Sequence, residues 1–458
     1  MATLDTTSKV ADTPSADTAR WFLRPRVQTA AMWLIAVVVL VEGTYAVFKR
    51  ENDFNCHIEF GRHFLAGEPY LSRGNYYPLG RLMLDSLLAV GSYYPTRAIS
   101  YLLAVGGLFV IFHLWGRMAQ SWLPATTPHR RAAVFLTLAA LMPLVIRDLD
   151  ECGLQIFLVL MLTLGAYALY RGRPWQCGLW VAAAITYKAT PLVFLPLLVW
   201  KREWKAAAST VVCLVGLNLL PVLYLGWDTT VASHRYWVLN SIAIMRDMPD
   251  AYPSIPYGIE APKTQNASLR AGLARLVETY PPGHSLYLDH PLFFQFGNLP
   301  VDQAKRVVNG LILLLGAVIA WSMRRSWTGD TGKQRLLKDW AVACIFAALL
   351  SPLCWKQHLV VFIPAVYLVA RWLLSGPSVT RGQLALLAFC GAAWLFSHRL
   401  LLGRDLTLVL QSYHLMTWSA LALVWLVMKL PNQAQQIASL DEGLVPANTS
   451  PVRLPKAA

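Results

Sequence analysis

The chain has 458 residues, 56% of them hydrophobic and only 14% charged, with a positive mean hydropathy, a balance that excludes an ordinary soluble domain and makes the bilayer its solvent. The net charge of +15 does not point to nucleic acid, because the basic residues are spread over many short loops and form no patch with interleaved stacking aromatics; positive-inside topology accounts for them. Seven cysteines lack any CxxC pair, and Cys177, Cys213, Cys344 and Cys390 fall in apolar stretches, so they read as small buried hydrophobes, with neither a disulfide framework nor a metal site.

Residues 1–28, with Arg20, Arg24 and Arg26, are expected as a cytoplasmic N-terminal segment. The first apolar run, Ala30 to Phe48, is free of charge except for Glu42. It is too long for a signal-peptide core, and no small-x-small cleavage site closes it before Lys49, so it reads as an uncleaved first helix. Further apolar runs follow at 98–116, 132–147, 153–170, 205–226, 305–323, 338–352, 356–373, 381–398 and 407–428, giving about ten spans within a membrane domain over 29–429. The stretch 175–200 is also apolar but is interrupted by Tyr187-Lys188-Ala189-Thr190-Pro191, and each half is too short for a ~30 Å core.

Loop charge decides how that stretch runs. The Lys/Arg-rich loops 117–131, 171–174, 201–205, 324–338 and 371–381 belong on the cytoplasmic side with the N-terminus. Both flanks of 175–200 then share a side, so a re-entrant hairpin with Lys188 near its tip is expected. Irregular backbone at that depth requires surrounding protein or a water-filled cavity. The same parity places 49–97, 148–152, 227–304, 353–358 and the turn 399–406 outside. The long 227–304 loop is rich in Pro and aromatics, with a helix expected over Ser268–Glu278. The polar tail 430–458 is expected to be disordered, and no inverted repeat of the transporter type is visible.

Several polar clusters fall on the outer side or in the cavity region. Asp53 follows Glu51-Asn52 directly after the first helix, at a membrane boundary where partial burial raises a carboxylate's pKa and its usefulness as a base; the alternative is an acidic residue solvating a helix end. The others are Arg147-Asp148-Leu149-Asp150-Glu151 with Gln155, Lys188, Gln265-Asn266-Ala267-Ser268-Leu269-Arg270, and Ser351-Pro352-Leu353-Cys354-Trp355-Lys356-Gln357-His358. A charge at membrane depth is costly and defaults to a functional reading with a named partner; for Lys188 that partner is an anionic phosphate, the alternative being a snorkelling lysine. His358 reads either as a hydrogen-bonded helix cap or as a catalytic group, and Lys356 beside it adds a second cation. Asn266-Ala267-Ser268 matches a glycan-acceptor sequon, a reading that applies only in a secretory compartment.

In this order the clusters resemble the polyprenol-phosphate-mannose-dependent glycosyltransferases of the GT-C superfamily, in particular family 87. The resemblance covers residues 30–430 and rests on five pieces: Asp53-Phe54 followed by Gly61 through Tyr70; Tyr77-Pro78-Leu79; Tyr187 through Pro191; Asn266 through Arg270; and Ser351 through Trp355 with His358. There are departures. Gly153-Leu154-Gln155 lacks the family's following Asn, Gln357 stands where the family has the first histidine of a pair, and the second proline after Tyr77 is missing; these bear on the sugar and the acceptor.

The resemblance implies an all-α, polytopic GT-C fold. It implies transfer of a hexose, expected to be mannose, from a polyprenyl-phosphate sugar to a lipid or glycan acceptor hydroxyl, with inversion, on the outer face of the cell inner membrane. Asp53 is the general base it implies, and Lys188, Lys356, His358 and Arg270 are its phosphate binders. Asn266, Tyr70 and Tyr77 complete the implied substrate contacts. No metal or other cofactor is expected, because cationic side chains can stabilise a departing phosphate; the alternative is a metal site of Asp148, Asp150 and Glu151 with Asp53. Two rival readings stand beside this one. A transporter or flippase of a polyprenyl-linked lipid would also use buried cations and a re-entrant hairpin, and a GT-C arabinofuranosyltransferase would use a pentose donor.

Overall fold

The computed structural model describes residues 24–48, 53–70, 77–247, 266–279, 296–329, 331–376, 379–397 and 399–431. Apart from an isolated bridge between Glu278 and Leu299, the regular structure among them is helical, as a bilayer demands of any chain that must satisfy its backbone internally. The chain runs through α1 (Pro25–Phe48), α2 (Asp53–Leu65), α3 (Leu79–Val90), α4 (Tyr93–Ala119), α5 (Thr127–Asp150), α6 (Leu154–Tyr170) and α7 (Pro174–Tyr187). A 3-10 turn (Thr190–Val193) leads into α8 (Phe194–Trp200), α9 (Trp204–Leu219), α10 (Val222–Leu225), α11 (Trp227–Asp247), α12 (Leu269–Val277), α13 (Val301–Ser322) and α14 (Gly332–Leu349). A second 3-10 segment (Lys356–Phe362) continues into α15 (Ile363–Leu374), followed by α16 (Arg381–Leu395), α17 (Arg399–Ser412) and α18 (Leu415–Met428).

Six stretches among the described residues are long and apolar enough to cross a membrane: α1, α4, α5, α9 with α10, α13, and Lys356–Leu374. Their burial sorts them by place. Only 6% of the apolar window of α1 and 11% of that of α13 is buried within the protein, so these helices present their side chains to lipid; 94% of the window in Lys356–Leu374 is buried, and this helix is the centre of the bundle. The shorter apolar helices α6, α16 and α18 pack around it in one continuous core that includes Trp115, Trp340, Phe362 and Tyr367.

The stretch 175–200 is the hairpin that loop charge requires. At its start the carbonyl of Trp175 accepts from Ser209 Oγ at 2.8 Å, near the beginning of α9. At its end Trp200 Nε1 donates to Ala320 O at 3.0 Å, and Lys201 pairs with Asp339 at 2.6 Å and donates to Arg325 O at 2.8 Å. Both flanks therefore lie at the end of the bundle that carries the basic loops. Tyr187 and Lys188 lie at the other end, where Tyr187 Oη donates to Leu154 O at 2.7 Å.

Three expectations are corrected. The 49–97 segment holds two packed helices, α2 and α3, and α4 already begins at Tyr93: Phe64 of α2 is buried against Leu79 and Leu82 of α3, and Phe54 and Ile58 are buried against Cys152 and Leu154. The 227–304 segment contains α11 in addition to the expected short helix, which runs over Leu269–Val277 with Ser268 Oγ capping Ala271 N at 3.2 Å. The expected 407–428 span is broken. The helix α17 ends at Ser412, His414 takes a left-handed conformation, and α18 starts at Leu415; the break is held by His414 Nδ1, which donates to Asn266 O at 2.8 Å. The segment up to Leu23 expected to be cytoplasmic, the tail from Asn432 expected to be disordered, and two parts of the expected long outer loop (248–265 and 280–295) lie outside the described residues.

Single cysteines replacing Arg173 and Arg202 in membranes are expected to react with an impermeant thiol reagent from the same side. Labelling from opposite sides would turn 175–200 into a crossing and overturn the hairpin.

Candidate active site

The turn after α5 assembles the first part of the site. Asp148 is fully buried, and its two carboxylate oxygens accept the amides of Gln155 (2.9 Å) and Ile156 (3.0 Å). It caps the first turn of α6, whose amides have no partner within the helix. Gly153, at φ +75°, makes the reversal that brings the cap into place. Asp150 pairs with Arg147 at 2.9 Å, and Glu151 pairs with the same guanidinium at 3.1 Å. The other Glu151 oxygen accepts the Asp53 amide at 2.6 Å. The three carboxylates considered as metal ligands are thus each engaged in hydrogen bonds or ion pairs.

Asp53 is the first residue of α2 and is exposed. Its carboxylate accepts from Gln357 Nε2 at 3.3 Å. Next to Gln357, His358 lines a cavity of only about 10 Å³, room for about one water, with Gln155, Lys188, Thr190 and Ser351. Trp355 N donates to His358 Nδ1 at 3.1 Å, which in a neutral ring leaves Nε2 as the N–H donor. Lys188 Nζ donates to Gln155 Oε1 at 3.1 Å. A carboxylate and a cavity with a lysine, an imidazole, an amide and two hydroxyls thus share adjoining residues, Gln357 with His358 and Glu151 with Gln155.

The remaining predicted residues lie around this centre with other tasks. Asn266 is buried, and its amide is spent on backbone: Nδ2 donates to Pro352 O (2.9 Å), and Oδ1 accepts from Ser268 N and Cys354 N (both 3.0 Å). It is a staple between the start of α12 and the 351–355 turn. Lys356 Nζ bonds Ser397 O, tying that turn to the end of α16. Arg270 bonds Asn309 Oδ1 at 2.8 Å on α13. The Lys188 cavity is lined by neither Lys356 nor Arg270. Tyr70 Oη donates to Tyr77 O at 2.9 Å, and its ring packs on Tyr236 with centroids 5.2 Å apart; beside it, Trp227, Asp228, Arg235 and Tyr236 line an open cleft on α11.

Sequence reasoning passed over a buried cluster one turn from Asp53: His57, Arg81 and Asp85, exposed by 3%, 2% and 1%. Asp85 takes Arg81 Nε at 2.7 Å with one oxygen, and its other oxygen is 2.9 Å from His57 Nδ1. Burial pushes the His57 imidazole below its usual range. The available signals were the i, i+4 spacing of Arg81 and Asp85 and of Asp53 and His57, but spacing alone does not show that such a pair is buried.

Burial first, and then the Asp53 charge, lift the Glu151 carboxyl to about 7 from the usual 4.5. A carboxyl raised in the folded state binds its proton more tightly than in the unfolded chain, so stability is full below the unfolded value and falls as pH rises towards the folded one. Wild-type protein in detergent is therefore expected to lose thermal stability between pH 5 and pH 8, and Glu151→Gln is expected to show a flatter dependence; identical slopes in the two proteins would show that Glu151 does not titrate there.

The chain is similar to a polyprenol-phosphate-mannose-dependent alpha-(1-2)-phosphatidylinositol mannoside mannosyltransferase of Mycobacterium tuberculosis, 26% identical over 65% of this chain and 61% of that protein. It is also similar to a polyprenol-phosphate-mannose-dependent alpha-(1-2)-phosphatidylinositol pentamannoside mannosyltransferase of Mycolicibacterium smegmatis, 26% identical over 66% of this chain and 64% of that protein. The match thus spans less than two thirds of either relative. Among solved structures, ArnT from Cupriavidus metallidurans bound to undecaprenyl phosphate aligns with 90% of this chain and 80% of its own, at a TM-score of 0.33 and 15% identity. The family model of glycosyltransferase family 87 matches residues 75–352, more than half of the chain, from the Tyr77-Pro78-Leu79 motif through Lys188 to Pro352. This membrane protein belongs to glycosyltransferase family 87.

Proposed function

We propose that the chain transfers a mannosyl group from polyprenyl-phosphate mannose to an acceptor hydroxyl at the end of the bundle opposite the basic loops, on the outer face of a bacterial inner membrane. One observation carries this reading. An exposed carboxylate, Asp53, is linked through Gln357 to His358 and so to the Lys188 cavity, which sets a base beside a cation site, as displacement of a phosphate by a hydroxyl requires. The polyprenol-phosphate-mannose dependence of the mannosyltransferase relatives supports the same donor.

Asp53 takes the proton of the acceptor hydroxyl, the freed oxygen attacks the anomeric carbon from the face opposite the phosphate, and the bond from that carbon to the phosphate oxygen breaks with inversion. The polyprenyl phosphate leaves with the electron pair. Lys188 and His358 Nε2–H receive the charge that develops on it, and preorganised donors in a site shielded from water stabilise such charge strongly. Lys188 is held for this by Gln155, an uncharged partner. Tyr70 and Tyr77, with the α11 cleft, form the acceptor side in this reading. Lys356 and Arg270 act at its edge, by fixing the turn and helix on which it is built. No divalent metal enters, because the cationic role falls to Lys188.

The decisive measurement is sugar transfer by the purified full chain in lipid nanodiscs, offered polyprenyl-phosphate mannose, glucose and arabinose side by side. Mannose is expected to be used. Asp53→Asn is expected to lower kcat by about 100- to 10,000-fold, the range for loss of a general base, with donor binding retained; full turnover in that variant would remove Asp53 from the mechanism. Lys188→Gln is expected to lower turnover by about 100-fold or more, the scale for losing one charge-stabilising donor. Chelation by EDTA is expected to leave the rate within about twofold, and its abolition would restore the metal reading.

A further inference from the structure

The base and the phosphate site belong to separate elements, α2 and the break after α7, and α3 is wedged between them. Two glycines permit the wedge. A Cβ on Gly61 of α2 would stand 2.2 Å from Asp85 O, and one on Gly80 of α3 would stand 2.3 Å from Thr186 Cγ2 near the end of α7. Helix α3 therefore lies against α2 with backbone-level closeness on one side and against the residues just before Lys188 on the other.

Across this wedge runs the buried cluster. Asp85 of α3 holds His57 of α2, one turn after Asp53, at 2.9 Å, and holds Arg81 of its own helix at 2.7 Å. Arg81 Nη2 lies 3.2 Å from the same His57 nitrogen. The guanidinium carbon of Arg81 sits 3.7 Å from the centre of the Tyr187 ring, a cation–π contact in a site removed from water. Tyr187 immediately precedes Lys188, and its hydroxyl is fixed on Leu154 O at the start of α6. A fully buried arginine and aspartate are too costly to carry unless well paired, and breaking such a pair is strongly destabilising. No residue of the cluster lines the Lys188 cavity, so the arrangement does not bind the donor directly.

We propose that His57, Asp85 and Arg81, with Tyr187, are positioning residues that set the separation between Asp53 and Lys188, and hence between the attacking hydroxyl and the departing phosphate. The planar fork of Arg81 is suited to the task, since it pairs with Asp85 by Nε and keeps a face for the ring; a lysine would keep the charge but not the planar group that does both at once. Displacing a reacting group by about 1 Å costs on the order of 100-fold in rate, so a frame that holds two poles on different helices acts on kcat before it acts on binding.

The inference rests on the proposed transfer reaction, and the test separates the two. The full chain in nanodiscs is assayed with polyprenyl-phosphate mannose as wild type, Arg81→Lys, Tyr187→Leu and Tyr187→Phe, with kcat, donor KM, the pH profile of kcat and thermal stability measured for each. If wild type transfers no mannose, the function fails and the frame with it. Given wild-type turnover, Arg81→Lys and Tyr187→Leu are expected to lower kcat about 10- to 100-fold with donor KM within about threefold, and to shift the pH profile because the Asp53 surroundings move. Tyr187→Phe keeps the ring under Arg81 and is expected to recover most of that loss. Should Arg81→Lys not fold, the comparison of Tyr187→Leu with Tyr187→Phe decides alone. Equal kcat in Leu and Phe variants, or a loss confined to KM or to stability with an unmoved pH profile, would overturn the proposal.

Discussion

A helix pair too short to cross the membrane has to place its turn somewhere inside the protein, and that constraint organises the rest of the site. Helix α7 has 14 residues, about 21 Å at 1.5 Å per residue, and the chain turns back at Lys188. Backbone and charge at such a turn must find partners in the protein, since lipid offers none. The partners are supplied by the start of α6, through Leu154 O for Tyr187 and the Gln155 amide for Lys188. Helix α6 in turn depends on Asp148 to cap it. The turn that carries Asp148 ends in Glu151, which receives the Asp53 amide. One half-buried lysine thus draws four polar residues from three elements into a connected set.

The connected set also separates structural polar residues from those left to act. Buried polar groups in a membrane protein are expected to be paired, and a group whose every atom is paired has little left for a substrate. Asn266 and Asp148 belong to that class, with oxygens and amides committed to backbone. Asp53 is exposed and carries one long hydrogen bond, whereas Lys188 and His358 face a cavity. The distinction is chemical and needs distances; residue type and location at the end of the bundle opposite the basic loops are shared by both classes.

Legibility in the sequence followed the range of the physics involved. The hairpin was legible because loop charge and span length are summed over many residues, and each loop repeats the same positive-inside signal. The capped helix at Ser268 was legible because an N-cap is a local pattern. The helices α2 and α3 within the first outer segment, and α11 in the second, were read as loops because their apolar runs are short and lack the length that flags a span. The break at His414 was hidden although Gln411-Ser412-Tyr413-His414 interrupts the apolar run there, because the bond that holds it comes from Asn266, far away in the chain.

By itself the sequence determined that this is a polytopic membrane protein, which end of the bundle is basic, and the order of motifs on which the family assignment rests. These follow from composition, from periodicity and from residues a few positions apart, all of which act locally along the chain. Tertiary structure alone decided which of the polar residues on the opposite end are spent on backbone and which are left to act. It also decided that His57, Arg81 and Asp85 are buried together behind Asp53 and Lys188. Those outcomes depend on contacts between distant helices, where two glycines permit approaches that no neighbouring residue reveals.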